Sequence, residues 1–272
     1  MKKYLVIGNP INHSLSPLIH NYWIKKHGLE DSAYEKRRVE KKDLKNIIKE
    51  IKNNEIVGVN VTVPYKKLII PFLDELDSVA EATQSVNTLY KKNDKIIGYN
   101  TDEAGFGLTI DKLYPNKDTK IKSLKDKNIF ILGAGGVTSS IVSALQRRGA
   151  KITLSNRTLK KAEELKKSFP GIKVLDWGKK PHTCNLVVNT TSIGLKKDEK
   201  ININFTGYDK NVLFYDLIYN PKETNFLREA RLNGNKTING EMMFLNQAKY
   251  AFNIWTSILP EIDDGLIKHL EQ

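Results

Sequence analysis

The chain has 272 residues, enough for two domains of moderate size, and its 40% hydrophobic content is typical of a globular protein. Its single cysteine, Cys184, excludes an intrachain disulfide framework and a cysteine-rich zinc site. The formal net charge of +13 comes mostly from scattered lysines, which favours a solvated surface with some attraction for anionic ligands over a nucleic-acid interface. No apolar run reaches membrane length and no signal-peptide core follows Met1, so we expect a cytoplasmic protein that contacts no membrane.

Strand and helix patterns alternate along the first hundred residues. The predicted elements are a strand at 4–7, helices from Ser16 and over 42–52, and strands at 59–63, 85–90 and 96–100. Ser16 followed by Pro17 is typical of a helix N-cap and a first helical residue. Val59, Val61 and Val63 alternate with polar residues, and this period of two predicts that the three valines share one face of a strand.

A second alternation begins at residue 128. The predicted strands are 129–132, 152–155, 172–175, 186–189 and 212–216, and the predicted helices are 138–148, 159–168 and one that starts after Gly240. Such alternation indicates an α/β protein with largely parallel sheets. We expect the boundary between two domains after residue 102 and a return of the chain to the first domain near residue 239.

A glycine-rich turn at 133–136 follows one of these strands directly and precedes a helix. In that context the first glycine permits a tight turn, and the second lets the backbone approach a pyrophosphate. The free N–H groups at the helix start favour the negative charge of such a ligand. The third position of the fingerprint falls at Thr138. The turn therefore predicts a dinucleotide-binding βαβ unit.

The end of the next strand indicates which dinucleotide is bound. NAD sites usually carry an acidic residue there, but residues 155–158 contain none. Arg157 can stack on adenine and bind a 2′-phosphate, with hydrogen bonds from Asn156 and Thr158, and Lys161 follows one helical turn on. The alternative is a capped helix N-terminus with an exposed arginine. We predict NADP as the cofactor and an oxidoreductase as the class of protein.

Three histidines recur at seven-residue spacing, His13, His20 and His27. No further histidine or acidic residue stands at ligand spacing beside them, so we expect surface or packing roles and no metal site. Four polar segments form a stronger pattern, because each lies at or near the end of a predicted strand, where open α/β sheets bind ligands. These segments are 14–17, 60–66, 85–88 and 98–102.

With these motifs the chain resembles the shikimate dehydrogenase family. The matching motifs, in chain order, are 8–10, 13–17, 20–21, 60–64, 87–88, 100–102, 133–136, 156–158, 189–194, 215–216, 219–221 and 247–248. The resemblance implies a reversible reduction of 3-dehydroshikimate to shikimate with NADPH, on the route to chorismate and the aromatic amino acids. It also implies a mixed-sheet α/β substrate domain (1–102), a Rossmann-type NADP domain (103–238) and C-terminal helices (239–272) that return to the first domain.

The resemblance assigns roles to individual residues. Lys66 matches the catalytic lysine and Asp102 its partner, and the sequence leaves open which of the two moves the proton. The substrate contacts implied are Ser14, Ser16, Asn60, Thr62, Asn87, Thr101, Tyr215 and Gln247. The cofactor contacts expected are Gly133, Ala134, Gly135, Gly136, Val137, Asn156, Arg157, Thr158, Lys161, Thr190 and Gly240. We expect no metal ion, and a monomer or a homodimer.

Three positions depart from the family pattern. Glu103 stands where glycine is usual, Tyr65 where histidine is common, and Lys161 replaces a frequent second arginine. Three alternatives stay open: a quinate/shikimate dehydrogenase with broader substrate or NAD use, a non-catalytic nucleotide-binding regulator that kept the fold, and a basic nucleic-acid-binding protein. Lys66 and Asp102 argue against the regulator, and only the net charge favours the third alternative.

Overall fold

The computed structural model of the chain describes residues 1–116 and 122–271. The chain divides into two compact units: the first comprises Met1–Gly105 and Leu245–Gln272, and the second Phe106–Phe244. Within the described residues, no helix combines the length and the apolar composition that crossing a bilayer requires. The functions predicted for the segments 1–102, 103–238 and 239–272 stay predictions at this point.

Twelve strands and nine α-helices are found in the described residues. Those up to the end of the first sheet are β1 (Lys2–Gly8), α1 (Ser16–Lys26), β2 (Ser32–Arg38), α2 (Leu44–Lys52), β3 (Gly58–Val61), β4 (Glu75–Leu76), α3 (Ser78–Thr83), β5 (Thr88–Lys92) and β6 (Lys95–Tyr99). Those that follow are α4 (Asp102–Leu113), β7 (Asn128–Leu132), α5 (Thr138–Arg147), β8 (Lys151–Ser155), α6 (Leu159–Ser168), β9 (Lys173–Leu175), β10 (Leu186–Asn189), β11 (Leu213–Asp216), α7 (Asn225–Leu232), β12 (Lys236–Ile238), α8 (Glu241–Thr256) and α9 (Asp264–Leu270).

The first unit is built on a mixed sheet with the strand order β2-β1-β3-β5-β6-β4. Only β5 runs antiparallel to its neighbours, β3 and β6. The carboxyl ends of β1, β3 and β6 therefore lie at the same edge of the sheet as the amino end of β5. Because the four polar segments adjoin these strand ends, the topology brings them to one edge.

The strands and helices of the first unit bury apolar side chains, as the sequence pattern predicts. Two local predictions, the shared face of three valines and the N-cap of α1, are wrong. Val59 and Val61 are buried, but β3 ends at Val61 and Val63 is 61% exposed, so the prediction of one shared face for the three valines is wrong. The next residue, a proline, has no N–H for a sheet ladder. Ser16 is the first residue of α1 rather than its N-cap, and the Ser14 hydroxyl accepts a hydrogen bond from its backbone N–H (3.3 Å).

The second unit contains a parallel sheet with the strand order β12-β11-β10-β7-β8-β9. After β7 the chain adds β8 and β9 on one side of that strand. It then returns to the other side of β7 with β10, and β11 and β12 continue the sheet in that direction. This is the switch point at which doubly wound sheets bind nucleotides. The loops that follow β7 and β10 carry the glycine-rich turn and Thr190. The mixed first sheet and the Rossmann-type second sheet confirm the predicted fold class.

Candidate active site

A buried ion pair joins two of the four polar segments of the first unit. Lys66 lies in the loop after β3, and Asp102 is the first residue of α4, which is separated from the end of β6 by two residues. The Lys66 Nζ and the Asp102 Oδ2 are 2.5 Å apart, and the side chains are 11% and 7% exposed. Because few water molecules reach the pair, the attraction between the charges is screened less than it is at a surface. The ammonium nitrogen is therefore held at one position.

The Asn87 amide, at the amino end of β5, links the ion pair to two further predicted site residues. Its Nδ2 donates hydrogen bonds to Thr101 Oγ1 (2.8 Å), Asp102 Oδ1 (3.1 Å) and Gln247 Oε1 (3.3 Å). Its Oδ1 accepts from the backbone N–H of Thr101 (2.8 Å). Both carboxylate oxygens of Asp102 thus have donors, since Oδ2 contacts Lys66. The carboxylate is fixed from two sides.

Asn60 extends this network through Tyr34 and Thr88, two residues to which the sequence assigned no role. Its Oδ1 accepts from the Tyr34 hydroxyl (2.6 Å), and its Nδ2 donates to the Asn87 carbonyl oxygen and to Thr88 Oγ1 (both 3.1 Å). Thr88 belongs to the matching motif at 87–88, which was the available signal for it. Tyr34 lies in β2, a strand that the sequence pattern did not predict.

Ser14 lies in the loop after β1, Ser16 begins α1, and Thr62 lies in the loop after β3. The Ser14 Oγ donates to the Ser16 Oγ (3.2 Å), so the two hydroxyls cluster at the start of α1. A Cβ on Gly8 would stand 2.6 Å from the Thr62 side chain, and the backbone N–H of Asn9 donates to the Val63 carbonyl (3.0 Å). The glycine therefore permits the loops after β1 and β3 to run in contact. Hydroxyls at a helix N-terminus form a neutral donor set that suits a carboxylate.

Two of the departures from the family pattern have structural explanations. Tyr65 is buried, and its hydroxyl donates to the Val39 carbonyl (2.7 Å), which ties the loop before Lys66 to the end of β2. Glu103 is buried in the first turn of α4, where its backbone N–H donates to Asn100 Oδ1 (3.2 Å). An acidic side chain near a helix N-terminus is favourable to the helix dipole.

His20 has the packing role that was expected for it. Its ring stacks on Tyr34, with centroids 4.2 Å apart, and burial lowers the pKa of His20 to about 3. The imidazole is therefore neutral at physiological pH. Within residues 1–116 and 122–271, no group of three or more His, Cys, Asp or Glu side chains is arranged to hold a metal ion.

The glycine-rich turn of the second unit is closed by a chain of hydrogen bonds. The Gly135 N–H donates to Thr138 Oγ1 (2.9 Å), which is 2.8 Å from Thr190 Oγ1, and that hydroxyl donates to the Leu132 carbonyl (2.9 Å). Since a carbonyl only accepts, Thr190 must accept from Thr138. Gly133 has φ +111°, and a Cβ there would stand 2.6 Å from Thr190 Oγ1. Thr138 at the third fingerprint position thus joins the loops after β7 and β10.

The surface around this turn is open and positively charged. A Cβ on Gly135 or Gly136 would meet no protein atom within 4 Å, which leaves space at the backbone for a ligand. Asn156 holds the turn to the loop after β8, because its Oδ1 accepts from the Ala134 N–H (3.1 Å) and its Nδ2 donates to the Thr158 carbonyl (2.8 Å).

Arg157 and Lys161 extend the positive surface. Both are exposed, and no acidic side chain of the described residues forms an ion pair with either. Val137, another predicted cofactor contact, is the N-cap residue of α5. The arrangement leaves two cations for an anionic ligand at the carboxyl edge of β7 and β8.

Tyr215 and Gly240 belong to the interior of the second unit. Tyr215 is fully buried, its ring lies edge-on to Phe106 at 5.4 Å, and burial raises the pKa of its hydroxyl. A Cβ on Gly240 would stand 2.0 Å from the Leu217 carbonyl oxygen, so only glycine fits there. Roles for Tyr215 toward the substrate and for Gly240 toward the cofactor stay predictions.

Comparison with known proteins identifies relatives over the whole chain. Residues 6–89 match the family model for the shikimate dehydrogenase substrate binding domain, and residues 116–192 match that for shikimate / quinate 5-dehydrogenase. The shikimate dehydrogenase (NADP(+)) of Pelagibacter ubique is 51% identical over 271 residues, which cover 99% of each chain.

Solved structures agree with these sequence matches. Shikimate dehydrogenase from Aquifex aeolicus superposes with a TM-score of 0.90 at 35% identity, covering 100% of this chain and 98% of its own. Shikimate 5-dehydrogenase from Thermus thermophilus, solved with NADP(H) and shikimate, superposes with a TM-score of 0.86 at 30% identity, covering 100% and 99%.

Proposed function

The chain belongs to the shikimate dehydrogenase family, and we propose on that premise that it catalyses the reversible, NADP-dependent reduction of 3-dehydroshikimate to shikimate. The observation that carries the proposal is the buried Lys66–Asp102 pair, whose carboxylate is also held by Asn87. The relative from Pelagibacter ubique is named for the same activity, and the Thermus thermophilus structure contains both ligands.

Lys66 is the proton donor in this proposal. Reduction of a ketone leaves a developing alkoxide that needs a proton and stabilisation of its negative charge. The Lys66 ammonium supplies both from Nζ. Asp102 has donors on both carboxylate oxygens, so we assign to it the orientation of Lys66 and a hydrogen bond to a ring hydroxyl. In shikimate oxidation the same nitrogen receives the proton.

The remaining polar residues at the sheet edge bind the substrate in this proposal. Ser14 and Ser16 present neutral hydroxyls at a helix start for the substrate carboxylate. The residues proposed to fix the ring and its hydroxyls are Asn60, Thr62, Asn87, Thr101, Gln247 and Tyr215. Neutral donors and acceptors of this kind select a polyhydroxylated ring, because an analogue that lacks a hydroxyl leaves a buried polar group unpaired.

The second unit fits NADP. Space beside Gly135 and Gly136 accepts a pyrophosphate, and Arg157 and Lys161 are exposed cations that suit a 2′-phosphate. NADPH, when bound, supplies the hydride. The other residues proposed to contact it are Gly133, Ala134, Val137, Asn156, Thr158, Thr190 and Gly240. The cytoplasmic location and the oligomeric state stay predictions.

Quinate use is the second candidate function, because the family model matched at 116–192 includes quinate dehydrogenases. A spectrophotometric assay at 340 nm, with shikimate or quinate crossed with NADP or NAD, separates the two candidates. We expect the highest kcat/KM with shikimate and NADP. A higher value with quinate or with NAD would contradict the assignment, and inactivity in all four combinations would favour a nucleotide-binding regulator.

A further inference from the structure

Six side chains of the first unit form one continuous hydrogen-bonded chain that reaches the ion pair. In order, they are Tyr34, Asn60, Thr88, Asn87, Asp102 and Lys66. Thr88 is the middle link, since its hydroxyl contacts Asn60 Nδ2 on one side and Asn87 Oδ1 on the other, each at 3.1 Å. Thr88 is 0% exposed and has no role in the mechanism described above.

The direction of each hydrogen bond in this chain is fixed by its neighbours. Asn60 Nδ2 also faces the Asn87 carbonyl oxygen, which only accepts, so the Asn60 amide has a single orientation. The Thr88 hydroxyl must then accept from Asn60, and its own hydrogen is left to donate to Asn87 Oδ1. At the far end, the Tyr34 hydroxyl donates to Asn60 Oδ1.

We propose that Thr88 is a positioning residue, which orients the amides of Asn60 and Asn87 and, through Asn87, the Asp102 carboxylate, with Tyr34 holding the end of the chain. The inference rests on the proposed function, in which both amides bind the substrate. The Thr88 hydroxyl is fully buried and both of its hydrogen bonds go to these amides, so we assign it no substrate contact of its own. Its register opposite Asn60 across β3 and β5 lets one side chain hold both amides.

Loss of the Tyr34 hydroxyl and loss of the Thr88 hydroxyl should have different kinetic effects. The Tyr34 hydroxyl donates to Asn60 Oδ1, so its loss affects the amide of Asn60 and, through it, substrate binding. Thr88 contacts both amides, and Asn87 in turn holds the carboxylate that orients Lys66, so loss of the Thr88 hydroxyl also affects turnover. A side chain that only filled space would change neither constant selectively.

Thr88→Val, which keeps the shape and removes the hydroxyl, tests this. We expect the KM for shikimate to rise about tenfold and kcat to fall about tenfold, with the KM for NADP unchanged. Thr88→Ser restores both constants to within about twofold. Tyr34→Phe raises the KM for shikimate about fivefold and leaves kcat within about twofold of wild type.

Thr256→Val is the matched control in the same unit. The half-buried Thr256 hydroxyl also donates a hydrogen bond, to the Phe252 carbonyl (2.8 Å), and accepts one from the Ile258 N–H (3.2 Å), but it is not part of the chain to Lys66. All variants are assayed at a temperature where circular dichroism shows them folded. If Thr88→Val does not fold, Thr88→Cys replaces it, because a thiol is a much weaker donor of similar size.

Kinetics of the Thr88 variant equal to those of Thr256→Val would overturn the proposal, as would a failure of Thr88→Ser to restore activity. The proposed function fails by a separate observation, which is a wild-type protein inactive with shikimate and NADP. In that case, crystal structures of wild type and Thr88→Val decide the positioning role. Asn60 and Asn87 amides unmoved in the variant would overturn it.

Discussion

The polar groups of the two units are arranged in opposite ways. In the first unit, the polar side chains at this edge of the sheet are buried or half-buried and hydrogen-bonded: Ser14 and Ser16 to each other, and separately the six side chains from Tyr34 to the Lys66–Asp102 pair. In the second unit, the cation Arg157 is exposed, and the glycine-rich turn leaves open space at its backbone. The first arrangement suits chemistry that needs fixed groups, and the second suits reversible capture of an anionic ligand.

This difference predicts which kinetic constant a substitution in each unit should change. Water does not readily reach a buried network. Removing one side chain therefore leaves its partners without hydrogen bonds and displaces the reacting groups. An exposed cation has water on its other sides, so its removal costs only the affinity for the ligand that it binds. Variants of the first unit should therefore change turnover, and variants of the second unit should change cofactor affinity.

Lys66→Ala should have the largest effect on turnover. It removes the proposed proton donor and leaves Asp102 buried without its cation, so we expect kcat to fall about a thousandfold. Binding of NADP, measured by calorimetry, should be unchanged because Lys66 belongs to the substrate side. Lys67→Ala, at the exposed neighbouring position, is the control and should retain wild-type kcat. Near-normal turnover of Lys66→Ala would contradict the assignment of the proton donor to Lys66.

The pH dependence of the free energy of unfolding should distinguish two buried carboxylates, one in each unit. Asp102 has a lysine ammonium as its partner. Asp216, fully buried in the second unit, accepts only from neutral groups of the described residues: Asn189 Nδ2 (2.9 Å), the Ile218 N–H (3.0 Å) and the Thr224 hydroxyl (2.6 Å). Burial raises the pKa of Asp216 from its ordinary value of 3.8 to about 6.

The folded protein therefore binds this proton more tightly than the unfolded chain does. The contribution of Asp216 to the free energy of unfolding should fall as pH rises from about 4 to about 6, by up to about 3 kcal/mol. Urea unfolding of wild type and Asp216→Asn at both pH values measures it as the difference between their pH dependences. Asp198→Asn, at an exposed position, should keep the wild-type dependence. Equal pH dependences in wild type and Asp216→Asn would refute the assignment.

The sequence predicted the second unit more completely than the first because its pattern is local. A strand, a glycine-rich turn and a helix follow one another directly between residues 128 and 147. A parallel sheet built from repeated βαβ units places every such turn at one edge. The absence of an acidic residue at 155–158 is likewise visible in the sequence alone.

The network of the first unit depends on contacts between distant residues, which no local pattern contains. Asn87 reaches the active edge at the start of an antiparallel strand, and not at the end of a strand as predicted. Tyr34 lies in an edge strand of mostly charged residues whose hydrophobic period is too weak to recognise. The resemblance named the groups at this edge, but the hydrogen bonds among them depend on strand order and register.

Arg157→Ala should have the smallest of these effects and the most selective one. We expect the KM for NADP to rise about ten- to thirtyfold, because a charge-assisted hydrogen bond to the 2′-phosphate is lost, while the KM for NAD and kcat stay within about twofold. Lys160→Ala, also exposed at the start of α6, is the control for loss of a nearby positive charge. Steady-state assays with both cofactors measure the ratio.

Arg157→Lys distinguishes two ways in which the guanidinium can act. A lysine keeps the charge for a phosphate but cannot stack as a plane on adenine. If Arg157 acts through the 2′-phosphate, the lysine variant should recover most of the preference for NADP, and added salt should reduce that preference in wild type. An equal rise of both Michaelis constants in Arg157→Ala would instead assign Arg157 to adenine stacking, because adenine is common to NAD and NADP. We would then assign the preference for NADP to Lys161, a second exposed cation predicted to contact the cofactor.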